Sequence, residues 1–141
     1  MSYDLMVFEP SAPPGDRLGF LSWYTEIARW SERLVLNPEA TSPLLQGWYR
    51  DMIKGFPAVS GPDGDGIATM DNDNRAEYRF SPTAVLASFQ WEASRHANRQ
   101  AIKLARHHGV GFFEVSGDSA GVWAPSEKGV YRLMHRSHER A

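Results

Sequence analysis

The chain has 141 residues, of which 42% are hydrophobic, with 15 Lys/Arg and 17 Asp/Glu, a balance typical of one soluble domain. A chain of this length buries roughly 70% of its unfolded surface, which is enough for a core without cross-links. Because cysteine is absent, disulfides, thiolate catalysis, zinc–thiolate sites and iron–sulfur clusters are excluded.

The net charge of −2 hides an asymmetry along the chain. Residues 1–77 carry 12 acidic and 6 basic side chains, whereas residues 78–141 carry 5 acidic and 9 basic ones. Complementary acidic and basic surfaces suit a protein partner, or a second copy of the chain in a homodimer.

The first stretch, residues 3–8, is almost continuously apolar after Asp4, which predicts a strand buried on both faces and central in a sheet. It has no basic leader, and no apolar run in the chain approaches membrane-spanning length. We therefore expect a cytoplasmic protein without a membrane partner. Asp16 is the expected N-cap of a first helix over residues 17–33.

The second helix carries the best local signals. Thr41 or Ser42 is the expected N-cap, Pro43 suits the first helical position, and Gly55 marks the end. Its apolar face comprises Leu45, Trp48, Tyr49, Met52 and Phe56. Residues 59–74 follow as a glycine- and acid-rich stretch, which predicts a surface loop.

The rest of the chain predicts a hairpin, a third helix and two strands. These elements cover residues 76–80, 84–90, 93–107, 110–116 and 122–124. Gly109 is the expected left-handed cap of the third helix. Residues 126–141 are expected to form a C-terminal helix or a frayed tail.

The order of these elements indicates a single α+β domain over residues 1–141. Apart from the doubled first helix, it is the β-α-β-β-α-β pattern of ferredoxin-like folds, which pack helices on one face of an antiparallel sheet. Such folds host many unrelated functions, so the fold class alone indicates none.

Three segments, SYDLMVFEP, TSPLLQGWYRDMIKGFP and HHGVGFFEVSG, carry a resemblance to a group of small uncharacterised bacterial cytoplasmic proteins. The resemblance covers most of residues 2–117. It implies bacterial origin and a shared fold, and it brings no activity with it. Small domains of this kind often act as immunity proteins beside toxin genes, which suggests a cognate toxin as partner.

The segment GDSAG at residues 117–121 matches the G-x-S-x-G nucleophile elbow of serine hydrolases, with Ser119 as nucleophile. Glu127, His135 and His138 follow in the order that a catalytic triad needs. However, the elbow requires a helix after the serine, and residues 122–125 favour an extended chain. The sequence therefore argues against a serine hydrolase.

Four acidic residues give residues 59–74 the composition of a calcium loop. They are Asp63, Asp65, Asp71 and Asp73. The calcium-binding EF-hand needs glycine at position six and glutamate at position twelve, and counting from Asp63 places Ala68 and Asn74 there. We expect a solvated acidic loop that offers a docking surface, and no metal.

The adjacent His107 and His108 project about 100° apart on a helix and make a poor chelate, so we expect them to favour the negative end of the helix dipole. The G-x-G that follows them precedes a strand, the reverse of a dinucleotide fingerprint. The sequence indicates no cofactor.

The third helix has a basic stripe. Arg95, Arg99, Lys103 and Arg106 follow at i, i+4, i+8 and i+11, which places them on one side. This stripe is either a solvated helix face or a surface for an anionic partner. A pI near 6.2 and the absence of a recognised motif disfavour nucleic acid.

These observations favour a non-enzymatic protein-binding module, such as an immunity or inhibitor protein that neutralises a bacterial toxin. The acidic loop and the basic stripe are the two candidate interfaces. The alternative is a small enzyme or ligand-binding domain that uses a cleft near Trp48, His107 and His108.

Overall fold

The computed structural model describes residues 2–29, 37–59, 75–116, 121–125 and 130–135. The strands are β1 (Ser2–Phe8), β2 (Ala76–Ser81), β3 (Ala84–Gln90), β4 (Gly111–Phe113), β5 (Val122–Pro125) and β6 (Tyr131–His135). The helices are α1 (Arg17–Arg29), α2 (Pro43–Met52) and α3 (Ser94–His108), with short 3₁₀ turns at Pro38–Ala40 and Trp91–Ala93.

The six strands form one open antiparallel sheet in the order β2-β3-β1-β4-β5-β6. Strand β1 pairs with all of β3 on one side, from Ser2 opposite Gln90 to Phe8 opposite Ala84, and with β4 on the other. This arrangement confirms the α+β class, and it places the most apolar strand in the interior of the sheet, as its sequence predicts.

The larger core lies between one face of the sheet and helices α2 and α3. Tyr3, Leu5 and Val7 of β1 point to this face, and so do Tyr78 of β2 and Phe89 of β3. Helix α2 adds large side chains to it, namely Leu45, Trp48, Tyr49 and Met52. Helix α3 adds mainly small ones, namely Ala97, Ala101, Leu104 and Ala105. The small residues let α3 approach its neighbours closely.

The prediction that the helices pack on one face of the sheet is wrong, because α1 covers the opposite face. The ring of Phe20 in α1 lies 5.3 Å from that of Phe8 and 5.2 Å from that of Phe113, measured between centroids. Successive side chains of a strand alternate between faces, so Met6 and Phe8 leave the main core and need a cover of their own.

The prediction of a C-terminal helix is wrong for residues 131–135, which form β6. Val130, Leu133 and Met134 have helix-like spacing in the sequence, whereas β6 pairs with β5 through Tyr131 opposite Pro125 and Leu133 opposite Trp123. Tyr131 packs against the main core, and its hydroxyl donates to the carbonyl oxygen of Val110 over 2.9 Å.

Local capping follows the sequence closely. The Ser42 hydroxyl accepts a hydrogen bond from the backbone N–H of Leu45 ahead of Pro43, the first residue of α2. Gly109 adopts the left-handed conformation, with φ of 70°, at the end of α3. Among the described residues, no helix has both the length and the apolar character that crossing a membrane requires.

Candidate functional site

The outward side of α3 carries four cationic residues in one line, which we call the basic face: Arg95, Arg99, Lys103 and Arg106. All four are exposed, and they lie opposite the buried side of the helix. At 1.5 Å of rise per residue, the line from Arg95 to Arg106 runs about 16 Å along the surface.

The basic face is not neutralised within the described part of the chain, where no carboxylate pairs with any of its four members. Arg95, Arg99 and Lys103 are spaced four residues apart, a spacing at which like charges repel weakly. The guanidinium of Arg106 lies 5.7 Å from the centre of the Tyr131 ring of β6, a cation–π distance. The basic face therefore presents positive charge to solvent that no described residue compensates.

Trp91 extends the basic face at its N-terminal end. It precedes Arg95 by four residues, in the 3₁₀ turn that leads into α3, and 44% of its surface is exposed. The sequence shows the spacing between Trp91 and Arg95. It does not show that Trp91 is exposed, because the chain has five tryptophans and the sequence does not say which of them are buried in the core. An aromatic residue therefore flanks the cations at each end, Trp91 at one and Tyr131 at the other.

Trp91 and Arg95 also line an open pocket of about 380 Å³ beside the first turn of α3. Inside it, Glu114 Oε2 accepts a hydrogen bond from the Tyr3 hydroxyl over 2.5 Å and one from Asn98 Nδ2 over 2.7 Å. Asn98 Nδ2 also lies 3.0 Å from the Tyr3 oxygen, which closes a triangle. No local signal in the sequence predicts this cluster, because 111 positions separate Tyr3 from Glu114.

The triangle fixes the position of one carboxylate, that of Glu114. Burial raises the pKa of the Tyr3 hydroxyl, and the hydrogen bond to Glu114 raises it further, so this hydroxyl stays protonated and acts as a donor at neutral pH. The pocket thus places a held carboxylate, a guanidinium and an indole side by side, which is an arrangement for binding polar groups.

The other end of α3 is tied to α2. His108 Nε2 lies 2.7 Å from Asp51 Oδ2, and Lys54 Nζ lies 3.1 Å from Asp51 Oδ1. The hydrogen bond with His108, followed by that with Lys54, lowers the pKa of Asp51. The His108 ring lies over Gly47, where an added Cβ would stand 2.9 Å from Nδ1. This histidine joins two helices, and Gly47 provides the space for its ring.

The cleft expected near Trp48, His107 and His108 does not form around Trp48. The Trp48 side chain is completely buried, and its indole N–H donates to the carbonyl oxygen of Ala101 in α3 over 3.1 Å. A residue in that position is part of the core and cannot line a cleft that is open to a ligand.

Other sequence-predicted site residues lie outside the described residues. They are Asp63, Asp65, Asp71 and Asp73 of the acidic stretch, and Ser119 of the GDSAG segment. In the part of the chain that the structure describes, no three His, Asp or Glu side chains come together as a metal site.

Comparison of the chain with protein-family models, with curated proteins and with solved structures finds no match.

Proposed function

We propose that this protein is a non-enzymatic binding module that recognises an acidic surface of a partner protein through the basic face of α3. The observation that carries the proposal is a line of four exposed cations that no described carboxylate neutralises, on a helix whose opposite side is buried in the core. Such a face costs a little stability through like-charge repulsion, and an acidic partner would offset that cost.

The aromatic residues at the two ends support a protein partner. Tryptophan, tyrosine and arginine dominate the binding energy of protein interfaces, and Trp91, Tyr131 and the arginines bring all three types to one surface. A net charge of −2 weakens long-range attraction to nucleic acid, whereas a local basic patch suffices for an acidic protein surface.

Within this class, we propose an immunity or inhibitor protein that acts in the cytoplasm by covering the acidic surface of a cognate bacterial toxin. A small rigid domain with one charged helix suits that role, because electrostatic complementarity accelerates association with the target. The alternative partner for the same surface is a second copy of the chain, whose acidic N-terminal half would bind the basic face in a homodimer.

We also propose that the fold is ferredoxin-like. The order β2-β3-β1-β4, with every neighbour antiparallel, agrees with the alternating β-α-β-β-α-β pattern of the sequence. On this interpretation α2 and α3 are the two helices of the β-α-β-β-α-β unit, and α1, β5 and β6 are additions to that unit.

The experiment is affinity capture from native lysate with three forms of the protein, followed by mass spectrometry. The test variant reverses Arg95, Arg99 and Lys103 to glutamate. The matched control reverses Arg29, Arg50 and Arg132, three exposed cations outside the basic face, which changes the net charge equally.

We expect an acidic protein to be captured by the wild type and the control and lost from the test variant. Equal capture by test and control variants would contradict the proposal. Size-exclusion chromatography of all three forms separates out the homodimer, which would run as a dimer without added partner and dissociate only in the test variant. A toxin gene beside this gene would support the immunity role, and a metabolic operon would oppose it.

A further inference from the structure

The open pocket of about 380 Å³ beside the first turn of α3 adjoins the basic face but contains a negative charge. Trp91, Arg95, Asn98 and Glu114 are among the residues that line it, and we call it the Glu114 pocket. Arg95 belongs to the basic face, whereas Glu114 directly follows β4. The two charged groups share the pocket but form no ion pair with each other.

Glu114 is held in place without a counter-charge. It is half-buried, and its Oε2 accepts hydrogen bonds from the hydroxyl of the buried Tyr3 and from Asn98 Nδ2. Both donors are uncharged, and no cation among the described residues pairs with Glu114. Its second oxygen, Oε1, receives no hydrogen bond from the described part of the chain. A half-buried carboxylate in this state favours a cationic group supplied by another molecule.

Trp91 adds an aromatic surface to the same pocket, with 44% of the residue exposed. Tryptophan is the best aromatic partner for a cation, and arginine is used for this contact more often than lysine. The planar guanidinium of an arginine stacks on an aromatic ring and also offers a fork of N–H donors that matches a carboxylate. The compact ammonium of lysine has no such planar fork. An indole and a fixed carboxylate in one pocket therefore select arginine.

We propose that the Glu114 pocket receives an arginine side chain of the partner protein, one that lies next to the acidic residues bound by the basic face. This inference rests on the proposed function, because Arg95 lines the same pocket and would repel a cation that arrived alone. A carboxylate of the partner on Arg95 removes that repulsion. The pocket is thus suited to an acidic residue and an arginine side by side, and its volume is in the range of sites that enclose small ligands.

This arrangement makes Glu114 a determinant of specificity. The basic face attracts any acidic surface, but a surface that is acidic throughout would cover Glu114 without giving it a counter-charge. Burying an unpaired carboxylate is costly, so such partners are rejected. The basic face accelerates association, and Glu114 selects among the proteins that it attracts.

The first test is an NMR titration of the full chain with Nα-acetyl-L-arginine, which carries one guanidinium and one carboxylate. We expect saturable shifts of the Trp91 indole N–H and the Asn98 side-chain amide, with a dissociation constant in the millimolar range that is ordinary for a molecule of this size. Nα-acetyl-L-citrulline has the same shape without the cation and should bind at least about tenfold more weakly. Absence of saturable shifts up to about 50 mM, or equal binding of the two compounds, would overturn the proposal.

Variants assign the binding to the pocket. Glu114→Gln keeps an oxygen for the hydrogen bonds from Tyr3 and Asn98 but removes the charge, and it should weaken binding at least about tenfold. The matched control is Glu92→Gln, which removes the same charge from an exposed residue next to Trp91 and should leave binding unchanged. If Glu114→Gln fails to fold, Trp91→Ala and the citrulline compound still decide the matter. Unchanged affinity of a folded Glu114→Gln variant would contradict the assignment.

Affinity capture separates this inference from the proposed function. Removing a negative charge beside the basic face should strengthen a purely electrostatic attraction to an acidic protein, whereas we expect Glu114→Gln to weaken capture of the partner at least about tenfold. Capture that is lost on reversal of Arg95, Arg99 and Lys103 but retained by Glu114→Gln would overturn the inference and leave the proposed function standing. Capture that survives the reversal would overturn the proposed function, and the arginine contact with it.

Discussion

Helices α2 and α3 pack against each other on the same face of the sheet, yet they are built in opposite ways. On the inside, α2 contributes Trp48 and other large side chains, whereas α3 contributes alanines such as Ala101. On the outside, Asp51 of α2 pairs with Lys54 and His108, whereas the four cations of the basic face have no acidic partner among the described residues. The difference shows that Asp51 of α2 contributes to the fold, whereas the four cations of the basic face make no ion pair with the described part of it.

The contribution of the large buried side chains of α2 to stability is tested most strongly by Trp48→Ala. The substitution empties the largest buried side chain of α2 and removes the hydrogen bond to Ala101, so we expect a loss of about 3–5 kcal/mol in the free energy of unfolding. Guanidinium denaturation followed by circular dichroism measures it. A loss below about 1 kcal/mol would mean that α2 does not supply the bulk of this core.

The complementary change is Ala101→Leu, which adds volume where α3 meets Trp48. We expect overpacking to cost about 1–3 kcal/mol, because Ala101 is completely buried and the change adds three carbons there. The half-buried neighbour Gln100 provides the control, since Gln100→Leu adds an apolar side chain away from the contact. Equal effects of the two changes would refute close packing at Ala101.

Asp51→Asn tests the charges that serve the fold, and we expect it to cost about 1 kcal/mol at pH 7. The pKa of Asp51 is lowered in the folded state, so its contribution is fully present above its unfolded pKa, about 3.9, and is lost as the pH falls through the folded value. The stability difference between wild type and variant should therefore shrink as the pH falls below about 4 and Asp51 becomes protonated. A difference that does not shrink over that range would contradict this account.

The smallest effect on stability is expected on the basic face itself. Arg99→Gln should change the free energy of unfolding by less than about 0.5 kcal/mol, with a slight gain if like-charge repulsion from Arg95 and Lys103 is relieved. Thermal denaturation at low and high salt measures it. A clear loss of stability would show that Arg99 serves the fold.

Sequence reasoning worked where the signal is local. Ser42 with Pro43 sets the start of α2, Gly109 sets the end of α3, and the apolar run of β1 sets its place inside the sheet. Each of these depends on one residue type in one backbone conformation, or on the periodicity of one segment.

The sequence failed where the outcome depends on distant partners. Residues 131–135 have helical spacing, and only the edge offered by β5 turns them into a strand. The position of α1 on the second face follows from the need to cover Phe8, which is apparent only once the sheet is assembled. The Tyr3–Asn98–Glu114 triangle and the hydrogen bond from Ser88 to Asp4 join residues far apart in the chain, so no sequence window contains them.

The most direct test of the central claim is photo-crosslinking in living cells. A benzophenone amino acid replaces Arg99 on the basic face in one variant and Arg50 on the exposed side of α2 in the other. We predict a covalent adduct with an acidic protein from position 99 and none from position 50, and its loss when Arg95 and Lys103 are reversed to glutamate. Equal adducts from both positions, or an adduct at position 99 that survives those reversals, would contradict the claim that the basic face is the binding surface.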